Sequence, residues 1–109
     1  MARFQIVVFT KAVDGRREEL ASWYDNQHIP DHLRVPGFVS GARHTVHKLD
    51  GPPQSPEWDF MAVYELEAED PMTVIEEARR RLGTDDMPLS PALDMSLTLS
   101  VVATPVFSA

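Results

Sequence analysis

The sequence predicts an α+β domain with the element order β-α-β-β-α-β, a four-stranded antiparallel sheet carrying two helices on one face. Three observations predict it. Four stretches are rich in β-branched and aromatic residues or alternate apolar with polar, the pattern of strands. Two other stretches place apolar residues three or four apart, the pattern of helices. The 109 residues fit a single domain, 1–109, since domains cluster near ~100–150 residues. Two helices with apolar stripes can cover one face of such a sheet in the split βαβ arrangement.

The first strand is residues 3–10, RFQIVVFT. Phe4, Ile6 and Val8 alternate with Gln5, Val7 and Phe9, so both faces are largely apolar and both should be covered. Asp14-Gly15 breaks the strand, and Asp14 can cap the helix expected from about Arg16 to about Gln27. Leu20, Trp23, Tyr24 and Gln27 share one face of that helix. Pro30 disfavours helical geometry at Ile29, so the helix is expected to end near His28, with a short turn over 31–35. Pro36-Gly37 then makes a turn.

Residues 38–49 read as the second strand and 50–56, with three prolines, as a loop. In 58–67 Trp58, Phe60, Ala62, Tyr64 and Leu66 share one face of the third strand. Asp70-Pro71 starts a second helix with the stripe Met72, Ile75, Ala78 and Leu82, and Gly83 stops it. The irregular segment 84–95 is long for a connection in so small a domain and is expected to cover a pocket mouth or reach a partner subunit. Residues 96–107 form the last strand, with Leu97, Leu99 and Val101 on one face and Ser96, Thr98 and Ser100 on the other. Nothing in the chain covers the second sheet face, so a homodimer built through that open face is expected.

Composition narrows the function. The chain carries 10 Lys and Arg against 17 Asp and Glu, a formal net charge of −7. Such a surface repels phosphate backbones, and no nucleic-acid partner is expected. The absence of cysteine removes disulfides, thiolate metal sites and cysteine nucleophiles. No apolar run approaches the ~20 residues that span a bilayer, so no membrane partner is expected and a cytoplasmic location is. No phosphate loop, serine elbow or dinucleotide fingerprint is present.

The informative segment is Trp23-Tyr24-Asp25-Asn26-Gln27-His28-Ile29-Pro30-Asp31-His32, followed by Pro36-Gly37-Phe38-Val39-Ser40. An aromatic pair, an acid, a His-hydrophobic-Pro step and a Pro-Gly-Phe entry to the second strand resemble the EthD-like proteins of the dimeric α+β barrel, ferredoxin-like superfamily. The resemblance is dense over residues 4–45 and rests on element order beyond that. It implies a ligand cavity between the helices and the sheet, with His28 pointing into it. Relatives include monooxygenases, cyclases, isomerases, haem proteins and proteins with no known activity, so the fold decides little about the reaction.

The residues themselves support part of this. Leu20, Tyr24 and His28 are four apart and share the sheet-facing stripe. A histidine there titrates near neutrality and can move a proton, and Asp25 is within reach to orient it. His28 and Asp25 are therefore the candidate catalytic pair. Alternatively, His28 only closes the helix end by bonding the turn at Pro30-Asp31, and Asp25 sits in solvent. Tyr24, His32, Arg43, His44 and Tyr64 are candidate substrate-binding residues. Arg43 or His44 could hold an anionic group, or a cross-strand pair with Glu65. Tyr64 could donate its hydroxyl to a phenol or carbonyl oxygen, or could simply pack.

His28 and His32 have the spacing of a zinc pair, but Pro30 interrupts the helix and the glutamate of zinc proteases is missing, so no metal is expected. His28, His44 or His47 could ligate haem, but nothing else selects haem, and no cofactor is expected. The leading expectation is a cofactor-independent acid–base enzyme on a small hydrophobic aromatic or polyketide-like molecule. It would be of the cyclase, isomerase, dehydratase or cofactor-free monooxygenase type. The alternative is a non-catalytic small-molecule-binding accessory protein of a catabolic or oxidative gene cluster, or a haem-binding protein.

Overall fold

The computed structural model describes residues 2–109. Four antiparallel strands, β1 (Ala2–Ala12), β2 (Phe38–Thr45), β3 (Phe60–Ala68) and β4 (Leu93–Ala103), form one sheet in the order β2-β3-β1-β4. Helices α1 (Arg17–Trp23), α2 (Ile29–Leu33) and α3 (Pro71–Arg81) lie on one face, with a π-helical stretch, Tyr24–His28, joining α1 to α2. The thinnest dimension is 19 Å, room for one sheet and one helical layer.

The register fixes the faces. Ile6 pairs with Tyr64 and Val102, and Val8 with Ala62 and Ser100. Phe4, Phe60, Ala62, Tyr64 and Leu66 are buried beneath the helices, against Leu20, Tyr24 and Val74. Val7 sits between Val63 and Val101, and Phe9 between Met61 and Leu99. These residues belong to the opposite face, which no element covers among the described residues, and Leu99 and Val101 are 47% and 45% exposed.

Several boundaries differ from expectation for physical reasons. Asp14 does not cap α1, which begins after Arg16 without a side-chain cap. Pro30 does not end the helix. Ile29 keeps helical angles and donates its N–H to Tyr24 O, five residues back. The widened turn accommodates a proline that lacks an N–H and crowds the carbonyl four residues before it. Asn26 Nδ2 occupies the Ser22 carbonyl at 3.0 Å and its hydroxyl oxygen at 3.1 Å. β2 stops at Thr45, opposite Phe60, because β3 begins there. The last strand starts three residues early, at Leu93, and stops at Ala103, opposite Gln5.

Trp58 precedes β3 and leaves the face of Phe60. Its ring packs on Phe9, 5.9 Å between centroids. The second helix matches expectation closely. Asp70 accepts the Met72 N–H at 3.0 Å, and Gly83 leaves the helix at φ 84°.

Candidate active site

A cavity of about 470 Å³ lies between the helices and the β1–β4 half of the sheet, within the ~300–1,000 Å³ of small-molecule sites. Ile6, Val8 and Thr10 of β1 form part of its floor. Met72, Ile75 and Ala78 of α3 form one wall, and Leu89, Leu93 and Met95 another. The segment expected to cover a pocket mouth thus contributes directly to the lining.

The polar groups come mainly from the π-helical stretch and its neighbours. His28 is buried, and its ring stacks on Trp23 at 4.0 Å with 19° between planes. Trp23 is itself held, donating its indole N–H to the Pro88 carbonyl at 3.0 Å. Tyr24 meets His28 edge-on at 5.7 Å and shares a 2.8 Å hydrogen bond with Thr10 Oγ1. His32 packs edge-on to His28 at 4.4 Å and stacks on Tyr64 at 4.4 Å. All five of these side chains, with Thr10, line the cavity.

Hydrogen bonding decides one tautomer. His32 Nδ1 lies 2.9 Å from the His28 carbonyl. A carbonyl only accepts, so Nδ1 carries the proton and the neutral ring keeps a lone pair on Nε2. His28 Nδ1 and the Tyr64 hydroxyl, by contrast, are buried without a protein partner among the described residues. Such an atom costs about 1–3 kcal/mol, and both side chains belong to the cavity lining.

The electrostatics follow from burial. Burial, and secondarily the neighbouring His32, hold the His28 pKa down at about 3. It therefore does not titrate near neutrality, as the sequence suggested, but stays uncharged there. Burial also lowers the pKa of His32, against the opposing effect of the His28 carbonyl and Asp31. Burial raises that of Tyr64, with a further contribution from Tyr24. The hydroxyl remains a donor.

The sequence-predicted residues separate into two groups. His28, Tyr24, His32 and Tyr64 meet at the cavity. Asp25 does not orient His28. It points outward and accepts two hydrogen bonds from Arg43, at 2.9 and 2.8 Å. That ion pair lowers the Asp25 pKa, chiefly through the Arg43 hydrogen bond. Arg43 lies 4.8 Å over the Phe60 ring and does not line the cavity. His44, opposite Met61, belongs to the uncovered sheet face, and its Nδ1 is 3.3 Å from the Met61 carbonyl. Neither reaches a ligand in the cavity.

Sequence reasoning placed Trp23 on one helix face with Leu20 and Tyr24 and missed its stack on His28. It also missed Asp31, whose fully buried side chain holds Gln27 Nε2 at 2.6 Å and pairs with Arg34. The i,i+4 and i,i+3 spacings were the available signals. These contacts fix the helix just beyond His28.

Comparison with known proteins adds the fold. No family model and no curated protein sequence matches the chain. Solved structures do. A protein provisionally named a monooxygenase from Shewanella loihica superposes with a TM-score of 0.64 at 15% identity, over 98% of this chain and 97% of its own. An ethyl tert-butyl ether (EthD) family protein from Bacillus halodurans gives 0.59 at 15% identity, over 97% and 100%. A dimeric ferredoxin-like protein of unknown function from Thermobifida fusca gives 0.56 at 15% identity, over 95% and 92%. The chain has a ferredoxin-like fold, shared with these structures. The architecture expected from the order of elements is therefore met along nearly the whole length.

Proposed function

We propose that the protein is a cofactor-independent acid–base enzyme acting on a small hydrophobic molecule with a carbonyl group, aromatic or polyketide-like in character. The observation that carries this reading is that His28 and Tyr64, whose Nδ1 and Oη are buried without a protein partner among the described residues, both line a mainly apolar cavity. A neutral imidazole can accept a proton from the carbon next to a carbonyl. A phenol that stays protonated can donate a hydrogen bond to the enolate oxygen that forms. The proton then returns at another carbon, which is isomerisation. The same enolate attacks an internal carbonyl, expels a β-hydroxyl or meets molecular oxygen in the related reaction types. Fold-level kinship with the Shewanella protein is compatible with the last.

The working unit of this proposal is a homodimer joined through the uncovered sheet face, where Val7, Phe9, Val63, Leu99 and Val101 lie together by register. A second reading, a non-catalytic small-molecule binder, is favoured by one observation. A ring with a pKa near 3 is a weak base.

The test separates the two. A cyclic aryl ketone such as 2-tetralone is incubated with the protein in D2O, and loss of the C–H signals next to the carbonyl is followed by NMR. Binding is measured in parallel by calorimetry. The enzyme reading expects wild-type protein to accelerate exchange and His28→Gln to abolish the acceleration while still binding. Tyr64→Phe should slow exchange by roughly 10²-fold. Binding without accelerated exchange supports the accessory reading, and unchanged exchange in His28→Gln overturns the role of the imidazole.

A further inference from the structure

The sequence offered Arg43 and His44 as anchors for an anionic group, and the structure removes both from the cavity. Another cation takes that position. Arg79, on α3, lines the cavity and is exposed, so it stands at the mouth. Its neighbours are already engaged. Glu77 accepts Arg80 at 3.0 and 2.6 Å and Arg81 at 2.7 Å. Arg79 has no ion-pair or hydrogen-bond partner among the described residues, in a chain with 17 acidic residues. It is also the one permanently charged side chain on the cavity wall among those residues.

The strand across the cavity contributes matching chemistry. Thr98 and Ser100 of β4 pair with Thr10 and Val8, which turns their hydroxyls to the helical side, and both line the cavity. On the helical side β4 thus presents Thr98, Ser100 and Val102, with Leu99 on the other face. Arginine offers paired donors in the plane that a carboxylate requires, and a hydroxyl on the same lining can donate to the same group.

Building on the proposed function, we infer that the ligand is a small amphipathic acid: an apolar, carbonyl-bearing body within the cavity and a carboxylate at the mouth, held by Arg79 with Thr98 and Ser100. Arg79 is then a specificity-determining residue that orients the guest with its uncharged end towards His28 and Tyr64.

Calorimetric titration with 2-naphthoate and with its methyl ester tests this. Wild-type protein should bind the acid about tenfold more tightly than the ester, a factor worth about 1.4 kcal/mol. The preference should shrink as salt is raised. Arg79→Gln should bring the two probes to equal affinity with little change for the ester. Arg80→Gln, on the same helix but engaged with Glu77, should keep the preference. Equal affinities in the wild type, or a preference that survives Arg79→Gln, overturn the inference. A preference lost equally in Arg80→Gln assigns it to the general field of the helix and overturns the inference too. Failure of both probes to bind the wild type overturns the cavity reading itself, and this inference with it.

Discussion

His28 is the residue at which solvation, not chemical identity, sets behaviour. Its ring lies against Trp23 and Tyr24, and its charged form has lost water without gaining an acid. In the unfolded chain the same ring titrates near ~6.5. Between that value and about 3 the unfolded state takes up a proton that the folded state refuses. Stability therefore falls as the pH is lowered through this window, by up to about 1.4 kcal/mol per pH unit. His32, also lowered by burial, contributes with the same sign. Asp25 and Glu77 are held low by arginines, Glu77 at about 2, so they add to acid lability from the ordinary carboxylate range near ~4 downward, overlapping the lower part of the histidine window. Urea unfolding at about pH 7, 6 and 5 should show this slope in wild type and a shallower one in His28→Gln. Identical slopes would mean that the ring takes up its proton in the folded protein. The spacing of Leu20, Tyr24 and His28 was enough to aim the imidazole inward. It could not reveal that Asp25, three residues away, would prefer a strand arginine eighteen positions later. An acid turned outward on a helix finds its partner through tertiary packing, which local spacing does not encode.

Among the elements, the junction from α1 through the π-helical stretch to α2 shapes the site. The His-x-Pro step was legible as a disruption but was read as an end. Proline forbids one hydrogen bond, and the chain answered by widening a turn rather than unwinding. β2 depends on this junction. At Gly41 an added Cβ would meet Tyr64 Cδ1 at 2.9 Å and Ile29 Cγ2 at 3.0 Å, so the backbone passes close beneath both. Gly41→Ala should destabilise the protein by about 1–3 kcal/mol through overpacking, and should also weaken cavity binding by displacing the Tyr64 ring. Gly37 is stricter. Its φ is 105°, and a Cβ there would lie 2.6 Å from Val74 Cγ2. Gly37→Ala should cost at least about 2 kcal/mol without a specific effect on ligand affinity. Urea midpoints and calorimetry together distinguish the two positions. Equal binding losses at matched stability would remove the special role given to Gly41.

For the molecule as a whole, the order of elements carried nearly all of the topology. Alternation in β3 assigned the face of Phe60, Tyr64 and Leu66, and the stripe from Met72 to Leu82 assigned the wall of the cavity. Arg79 follows Met72 by seven residues and Ile75 by four, so helical periodicity already put it on the margin of that stripe. What the sequence lacked was a reason to ask what lay opposite. The uncovered sheet face gives the prediction proper to this scale. Sedimentation equilibrium should return twice the 12.3 kDa chain mass, and Leu99→Lys with Val101→Lys should return the single mass. A wild-type monomer at micromolar concentration would refute the paired assembly and leave the cavity reading intact.

The chain's two tryptophans fall on opposite sides of the sheet. Trp23 leans on the buried imidazole, while Trp58 leans on Phe9 of the bare face. The protein is thus equipped with a separate optical reporter for each of its two open questions. With Trp58→Phe, the remaining indole emission follows the arrival of a guest and the charge on the ring beside it. With Trp23→Phe, the emission follows dilution and the parting of subunits.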